Sequence, residues 1–253
     1  VKESKPLGSI HIPAWAQPHE EFAARELARY IRKSTGAEMP IVPSLKRVAR
    51  GDIVLADLSH AAASALLPPR IGQGLRHDGF RMRTVKGALY VVSNEAGGVV
   101  FGAYEYLRIY VGCCFLDRRE SGESVPAQKT IRHADVAILD NPRIQCRSLM
   151  ARADSYDKLH DRVDWMAKNG FSHLQMVTYS SPLWEDTLGW ENGCRDWLMP
   201  ELKQRGLNLA LGHHTFGVLL PKDQFLAERP EFFAKIEGKR VETGQLNWCL
   251  SNE

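Results

Sequence analysis

Residues 212–221 read GHHTFGVLLP, placing two adjacent imidazoles, His213 and His214, directly after the apolar run LNLAL. A metal ion, a polar pocket for a sugar or an acid, and a pair of surface histidines are the three readings of such a pair. The metal reading is the weakest. Neighbours on a strand point to opposite faces, so both rings rarely reach one ion. The HExxH spacing that puts two histidines on one helical face is also absent. No metal and no cofactor are expected.

Two further residues belong with the pair. Arg147 lies in IQCRSLM (144–150), and Tyr179 closes SHLQMVTY (172–179). Both segments read as strands, and LNLALG (207–212) as a third. Between them, DKLHDRVDWMAKNG (157–170) carries Leu159, Val163 and Met166 on one helical stripe and stops at Asn169-Gly170. CRDWLMPELKQRG leads into the third strand, with Pro200 implying a late start or a kink. Strand, helix, strand, helix, strand at this spacing is βαβ logic, with parallel pairing and right-handed crossovers.

Ligands meet such sheets at the C-terminal ends of their strands. Arg147, Tyr179, His213 and His214 are therefore expected at that edge as substrate-binding residues. Trp184, Trp190 and Trp248 are candidates for stacking on a bound ligand, and each is equally a core residue. Taken singly, every one has a bland reading: an ion pair for Arg147, a barrel-edge cap for Tyr179, a structural histidine for His213. Their shared position is what marks them.

The first half is built otherwise. EEFAARELARYIRKSTG places Ala24, Leu27, Ala28 and Ile31 on one helical face and ends at Gly36. SIHIPAW, MPIV, DIVLAD and CCFLD read as strands. GFRMRTVKGALYVVSN reads as a hairpin turning at Lys86-Gly87. GGVVFGAYEYLRIYVG is a second helix whose Gly97, Gly98 and Gly102 indicate close helix–sheet packing. No phosphate-loop motif is complete there. The loop DRRESGESVPAQKT marks a composition break. The expected organisation is a small α/β domain over 1–135 and a β/α unit over 136–253.

With 253 residues, 44% of them hydrophobic and 25% charged, the chain can bury a substantial core. A net charge of +3 gives no polycationic field for nucleic acid. No apolar run approaches the roughly 20 residues that span a bilayer. Five cysteines without CxxC spacing support neither a zinc knuckle nor a disulfide framework. The start at Val1 suggests a removed leader or an artificial boundary, and the first of these implies a periplasmic or secreted location. Assembly into a homo-oligomer is left open.

AARELARYIRKSTGAEMPIV and the stretch from DGFRMRTVKG to YVGCCFL resemble the small non-catalytic domain that precedes the barrel in family 20 hexosaminidases and in α-glucuronidases. PRIQCRSLMAR resembles the first barrel strand of family 20, whose arginine, here Arg147, grips the non-reducing sugar. RGLNLALGHHTF resembles the third strand, so Gly212 and His213 would line the same subsite. The GHH strand, PEFFAKIEGKR and WCLSN look like a bacterial group long labelled a domain of unknown function. That group is itself similar to glycoside hydrolase family 163, endo-acting β-N-acetylglucosaminidases.

The resemblance implies an α/β fold: a small mixed-sheet domain followed by the first β/α units of a TIM (β/α)8 barrel. It implies a glycan substrate and substrate-assisted retaining hydrolysis of β-N-acetylglucosaminidic linkages, the acetamido oxygen serving as nucleophile. A complete barrel takes about 250 residues, so the chain is expected to stop within it, before the catalytic carboxylates. LNLALG also lacks the acidic residue that family 20 carries near its third-strand glycine. The alternatives are an α-glucuronidase-like enzyme, in which Arg147 and Arg152 meet a uronate carboxylate, and a non-catalytic carbohydrate-binding fragment.

Overall fold

The computed structural model describes residues 1–133, 135–152, 159–178, 195–213, 220–236 and 238–240. Strand β1 (Ile10–Ile12) leads into α1 (Pro18–Thr35). Proline opens this helix, Glu20 and Glu21 occupy its first turn, and Arg32 and Lys33 its last, all in the sense the helix dipole favours. Gly36 takes φ 74° and donates its N–H to the Arg32 carbonyl, which ends the helix in the left-handed cap expected of glycine. Phe22, Ala24, Leu27, Tyr30 and Ile31 form its buried face. After β2 (Ile41–Pro43) and β3 (Ile53–Asp57) comes α2 (Ala61–Leu66).

Strands β4 (Phe80–Val85) and β5 (Ala88–Ser93) form the expected hairpin. Lys86 at φ 52° and Gly87 at φ 82° give the two consecutive left-handed residues of a type I′ turn. Helix α3 (Ala96–Tyr106) follows and ends, after a wider turn, at Gly112. CCFLD contributes only β6 (Cys114–Phe115), which pairs with β7 (Glu123–Ser124) outside the main sheet.

The main sheet has six strands in the order β2-β1-β3-β5-β4-β8, where β8 is Ala137–Asp140. Strands β2, β1, β3 and β5 run parallel, and β4 is antiparallel to both its neighbours. Its last strand therefore lies past residue 135, because β8 completes the outer edge of β4. One face packs Val54, Ala56, Tyr90 and Val92 against Ala63 and Leu67 around α2. The other is covered by α1 and α3.

The second unit holds β9 (Ser148–Arg152), α4 (Leu159–Lys168), β10 (His173–Thr178), α5 (Arg195–Arg205) and β11 (Asn208–His213). The strands pair in parallel in the order β11-β10-β9, as βαβ spacing requires. Pro200 lies inside α5, which starts well before it. Helices α4 and α5 pack on α3 and α1, so one continuous core runs from the six-stranded sheet to the three-stranded one. Glycine permits the closest approach of the two units. A Cβ on Gly206 would stand 2.4 Å from the Gly97 nitrogen across the two units, and within the first unit one on Gly98 would stand 2.5 Å from the Gly79 carbonyl oxygen. Close packing, not phosphate binding, accounts for these glycines.

Candidate functional site

The rows of the parallel sheet follow from its register. Leu174 and Met176 of β10 are buried, with Leu149 and Ala151 of β9 beside them, and this row faces α4 and α5. The alternate row sets Ser148, His173 and Asn208 side by side, then Met150, Gln175 and Ala210. It is polar or small apart from Met150, which is half exposed. At the C-terminal edge Arg152, Val177 and Gly212 are adjacent in register, and Thr178 pairs with His213 one step further on. This is the edge at which β/α proteins bind ligands. No Asp or Glu occurs in 148–152, 173–178 or 208–213, so these strands hold no carboxylate for acid–base work.

The expected residues divide. His213 reaches the C-terminal edge, on the register row of Leu174 and Met176 rather than on the alternate one. Tyr179, His214 and Trp248 lie outside the described residues, as do Trp184 and Trp190. Arg147 does not reach this edge, and its expected position is corrected. It precedes β9 at the N-terminal end of the sheet. There its guanidinium holds Asp78 through an Nη2–Oδ2 contact of 2.5 Å and an Nη1–Oδ1 contact of 3.3 Å. It also donates to the carbonyls of Gly170 at 2.6 Å and Ile144 at 3.0 Å. Residues 144–147 wrap around this guanidinium instead of extending, so the strand begins at Ser148 rather than near residue 144. The arginine at the C-terminal end of β9 is Arg152.

The same N-terminal end carries further ties. Ser172 donates its backbone N–H to the Arg147 carbonyl, and its hydroxyl accepts from the Arg147 N–H. Trp165 Nε1 donates to the Phe115 carbonyl at 3.0 Å. Lys168 bridges from α4 to Glu123, which also accepts from the Tyr30 hydroxyl and from Lys33. Burial disfavours the Glu123 carboxylate, but Lys168, Tyr30 and Lys33 outweigh it and hold its pKa down at about 2. Arg205 pairs with Asp164 and Glu201 and lies over the Phe22 ring.

A second polar cluster escaped the sequence reading. His19 Nε2 stands 3.1 Å from Asp57 Oδ2 at the C-terminal end of β3, outside hydrogen-bonding geometry. Asp57 accepts the Ser59 N–H, and Glu20 accepts the N–H groups of Gln17 and Asp57. Burial raises the Glu20 pKa against those two bonds. Asp57 is also penalised by burial, yet His19 and Ser59 hold its pKa below the ordinary carboxylate value. The signal in the sequence was an Asp ending the buried run DIVLAD. Among the described residues no three His, Cys, Asp or Glu side chains are grouped to hold a metal. No described helix is long and apolar enough to cross a membrane.

The architecture is thus a mixed α/β domain fused to a parallel β/α unit of the kind that opens a barrel. Residues 2–106 match the family model described as the glycosyl hydrolase family 67 N-terminus. No curated protein matches the chain significantly. Among solved structures, a family GH115 4-O-methyl-α-glucuronidase with specificity for decorated arabinogalactans is similar at TM-score 0.60 and 10% identity, over 91% of this chain and 33% of that one. A GH138 enzyme targeting pectin rhamnogalacturonan II is similar at TM-score 0.51 and 13% identity, over 80% of this chain and 24% of its own. The GH20 β-N-acetylhexosaminidase of Streptomyces coelicolor A3(2) overlaps at TM-score 0.47 and 17% identity, over 70% of this chain and 31% of that one. The chain spans about a third or less of each of these enzymes. The family-model match over residues 2–106 and the overlaps with the GH115 and GH138 enzymes relate it to glycoside hydrolases through its N-terminal domain and its fold.

Proposed function

We propose that the protein is a glycoside hydrolase whose glycan-binding edge includes the C-terminal ends of β9, β10 and β11. The observation that carries the reading is the parallel β/α unit locked onto a domain matching the family 67 N-terminus. The edge would supply binding and not proton transfer, since these strands carry no carboxylate.

Between the two substrate classes, a uronic-acid-containing polysaccharide is the better supported. The glucuronidase fold overlaps most of the chain, and Arg152 ends β9 where a cation could meet a uronate carboxylate through a charge-assisted bond. Hydrolysis of β-N-acetylglucosaminidic linkages, with the substrate's acetamido group as nucleophile, is the second reading. It rests on the motif likeness of GHHTF and WCLSN. The test is product release by the native protein from glucuronate-decorated polysaccharide and from N-acetylglucosamine-terminated glycans. Uronic acid release supports the first reading, and N-acetylglucosamine-ended products the second. Turnover of neither, in a protein that binds neither, overturns both.

A further inference from the structure

His11 takes no part in the strand edge or in the His19 cluster, yet it is only 5% exposed in the middle of β1. Its neighbours Ile10 and Ile12 belong to the core shared with α1 and α3. The period of the strand therefore turns His11 to the opposite face, level with Val54 of β3. There both ring nitrogens meet a partner. Nδ1 lies 2.7 Å from the Ser44 carbonyl oxygen, and Nε2 lies 3.0 Å from Asp52 Oδ2.

The chemistry of those partners fixes what the ring must carry. A carbonyl oxygen only accepts hydrogen bonds, and so does an ionised carboxylate. Asp52 accepts on both oxygens, Oδ1 from the Ser9 N–H at 2.8 Å and Oδ2 from the Ala49 N–H at 2.7 Å. A neutral imidazole has one N–H and one bare lone pair, so either tautomer would turn that lone pair on an acceptor. The imidazolium, with an N–H on each nitrogen, suits Ser44 and Asp52 together.

The pair closes a loop. Residues 44–52 leave β2 and return at β3, and His11 meets that loop at both ends. Asp52 in turn holds Ala49 within the loop and Ser9 ahead of β1. The other ionisable groups nearby leave the ring proton in control. Burial, with the Asp52 charge, pushes the Tyr90 hydroxyl of β5 up, so it stays neutral. Lys46, Arg47 and Arg50 are exposed on the loop. Helix α2, packed on the same face, has no charged side chain, and His60 before it stacks on Trp15. His19 and Asp57 lie at the far end of β3.

We propose that His11 and Asp52 form a pH-sensitive clamp on loop 44–52, closed by the imidazolium and opened by loss of its ring proton. The two acceptors are met only in the folded chain. The clamp's stabilisation is therefore complete on the acid side of the histidine titration and is lost as pH rises through it. Glu123 acts in the opposite sense, since its contribution is lost toward acid. The clamp is independent of the hydrolase reading.

The test is ring-nitrogen NMR of the isotope-labelled 253-residue chain, with amide exchange at Ser9 and Ala49, between about pH 5.5 and about pH 8.5. Both His11 nitrogens should carry a proton at the acid end. Protection of the Ala49 amide, corrected for intrinsic exchange, should fall about tenfold as that second proton is lost. His11→Gln cannot titrate, so its Ala49 protection should stay level across the range. The ring spectrum of the unmodified chain decides the matter even where this variant fails to fold. A His11 ring with a single proton at the acid end overturns the proposal, as does the same Ala49 profile in the unmodified chain and in His11→Gln.

Discussion

At the N-terminal end of the three-stranded sheet, Arg147, Ser172 and Gly206 are each bound to something outside their own strand. Arg147 holds Asp78, Ser172 holds the Arg147 backbone, and Gly206 touches the Gly97 backbone. At the C-terminal end, Arg152, Thr178 and His213 finish their strands, with Arg152 beside Val177 and Thr178 beside His213 in register. Both ends present an arginine from the same eleven-residue stretch, PRIQCRSLMAR. Arg147 joins the two units, and Arg152 ends β9 at the edge where β/α proteins in general bind ligands. Residue type alone therefore does not distinguish an anchor from a binding group. The direction of the strand does, because a β/α unit places stability at one end and recognition at the other.

The largest effect should come from Arg147→Ala. It leaves Asp78, only 10% exposed, facing the interface without its cation. Breaking a buried pair costs about 3–5 kcal/mol, and partial exposure of the arginine should bring this to about 2–3 kcal/mol. Thermal unfolding should show the loss, while uronate or saccharide binding by the folded fraction stays unchanged. A variant that keeps its Tm and loses binding would reverse the assignment of the two ends.

Gly206→Ala should follow at about 2 kcal/mol, since it combines a φ of 63° with a Cβ 2.4 Å from the Gly97 nitrogen. Denaturant titration measures it. A neutral result would mean that the two units are not held in contact at this point.

The pH dependence tests the anchored side again, more gently. Glu123 has its pKa lowered to about 2 from an ordinary 4.5, through Lys168, Tyr30 and Lys33 acting against burial. Its stabilisation is fully present above pH 4.5 and is lost as pH falls from there toward 2. Glu123→Gln should flatten that part of the stability profile, read from Tm against pH. An unchanged acid limb in the variant would place the acid sensitivity in other carboxylates.

What the sequence made legible was local. The α1 stripe, the Lys86-Gly87 turn and the packing role of Gly97, Gly98 and Gly102 all depend on residues close in the chain or on glycine's missing Cβ. The parallel βαβ order was legible too, because spacing and crossover handedness leave few alternatives. The anchor was not. Asp78 lies 69 residues before Arg147, and nothing in IQCRSLM announces a carboxylate at that distance. The same holds for His19 and Asp57, which meet only because β3 lies beside β1. Strand β8 was missed because its partner β4 is far upstream, and ILD alone carries little pattern.

The smallest effect on stability, and the sharpest on function, belongs to Arg152→Ala. In β9 it occupies the last register position, opposite Val177, beyond the Ser148–Ala151 segment that joins the core. A residue reserved for ligand carries little of the fold, so its removal should shift unfolding by no more than about 0.5 kcal/mol. A charge-assisted bond to a uronate contributes roughly 1.5–3 kcal/mol, so glucuronate binding should weaken at least tenfold while neutral sugars are unaffected. Isothermal titration of both variants with the same ligands makes the contrast direct: Arg147→Ala should lower stability with little change in affinity, and Arg152→Ala should do the reverse. Equal losses of affinity in the two would show that both ends of the sheet reach the ligand, which a strand of five residues, about 17 Å long, does not permit for a single monosaccharide.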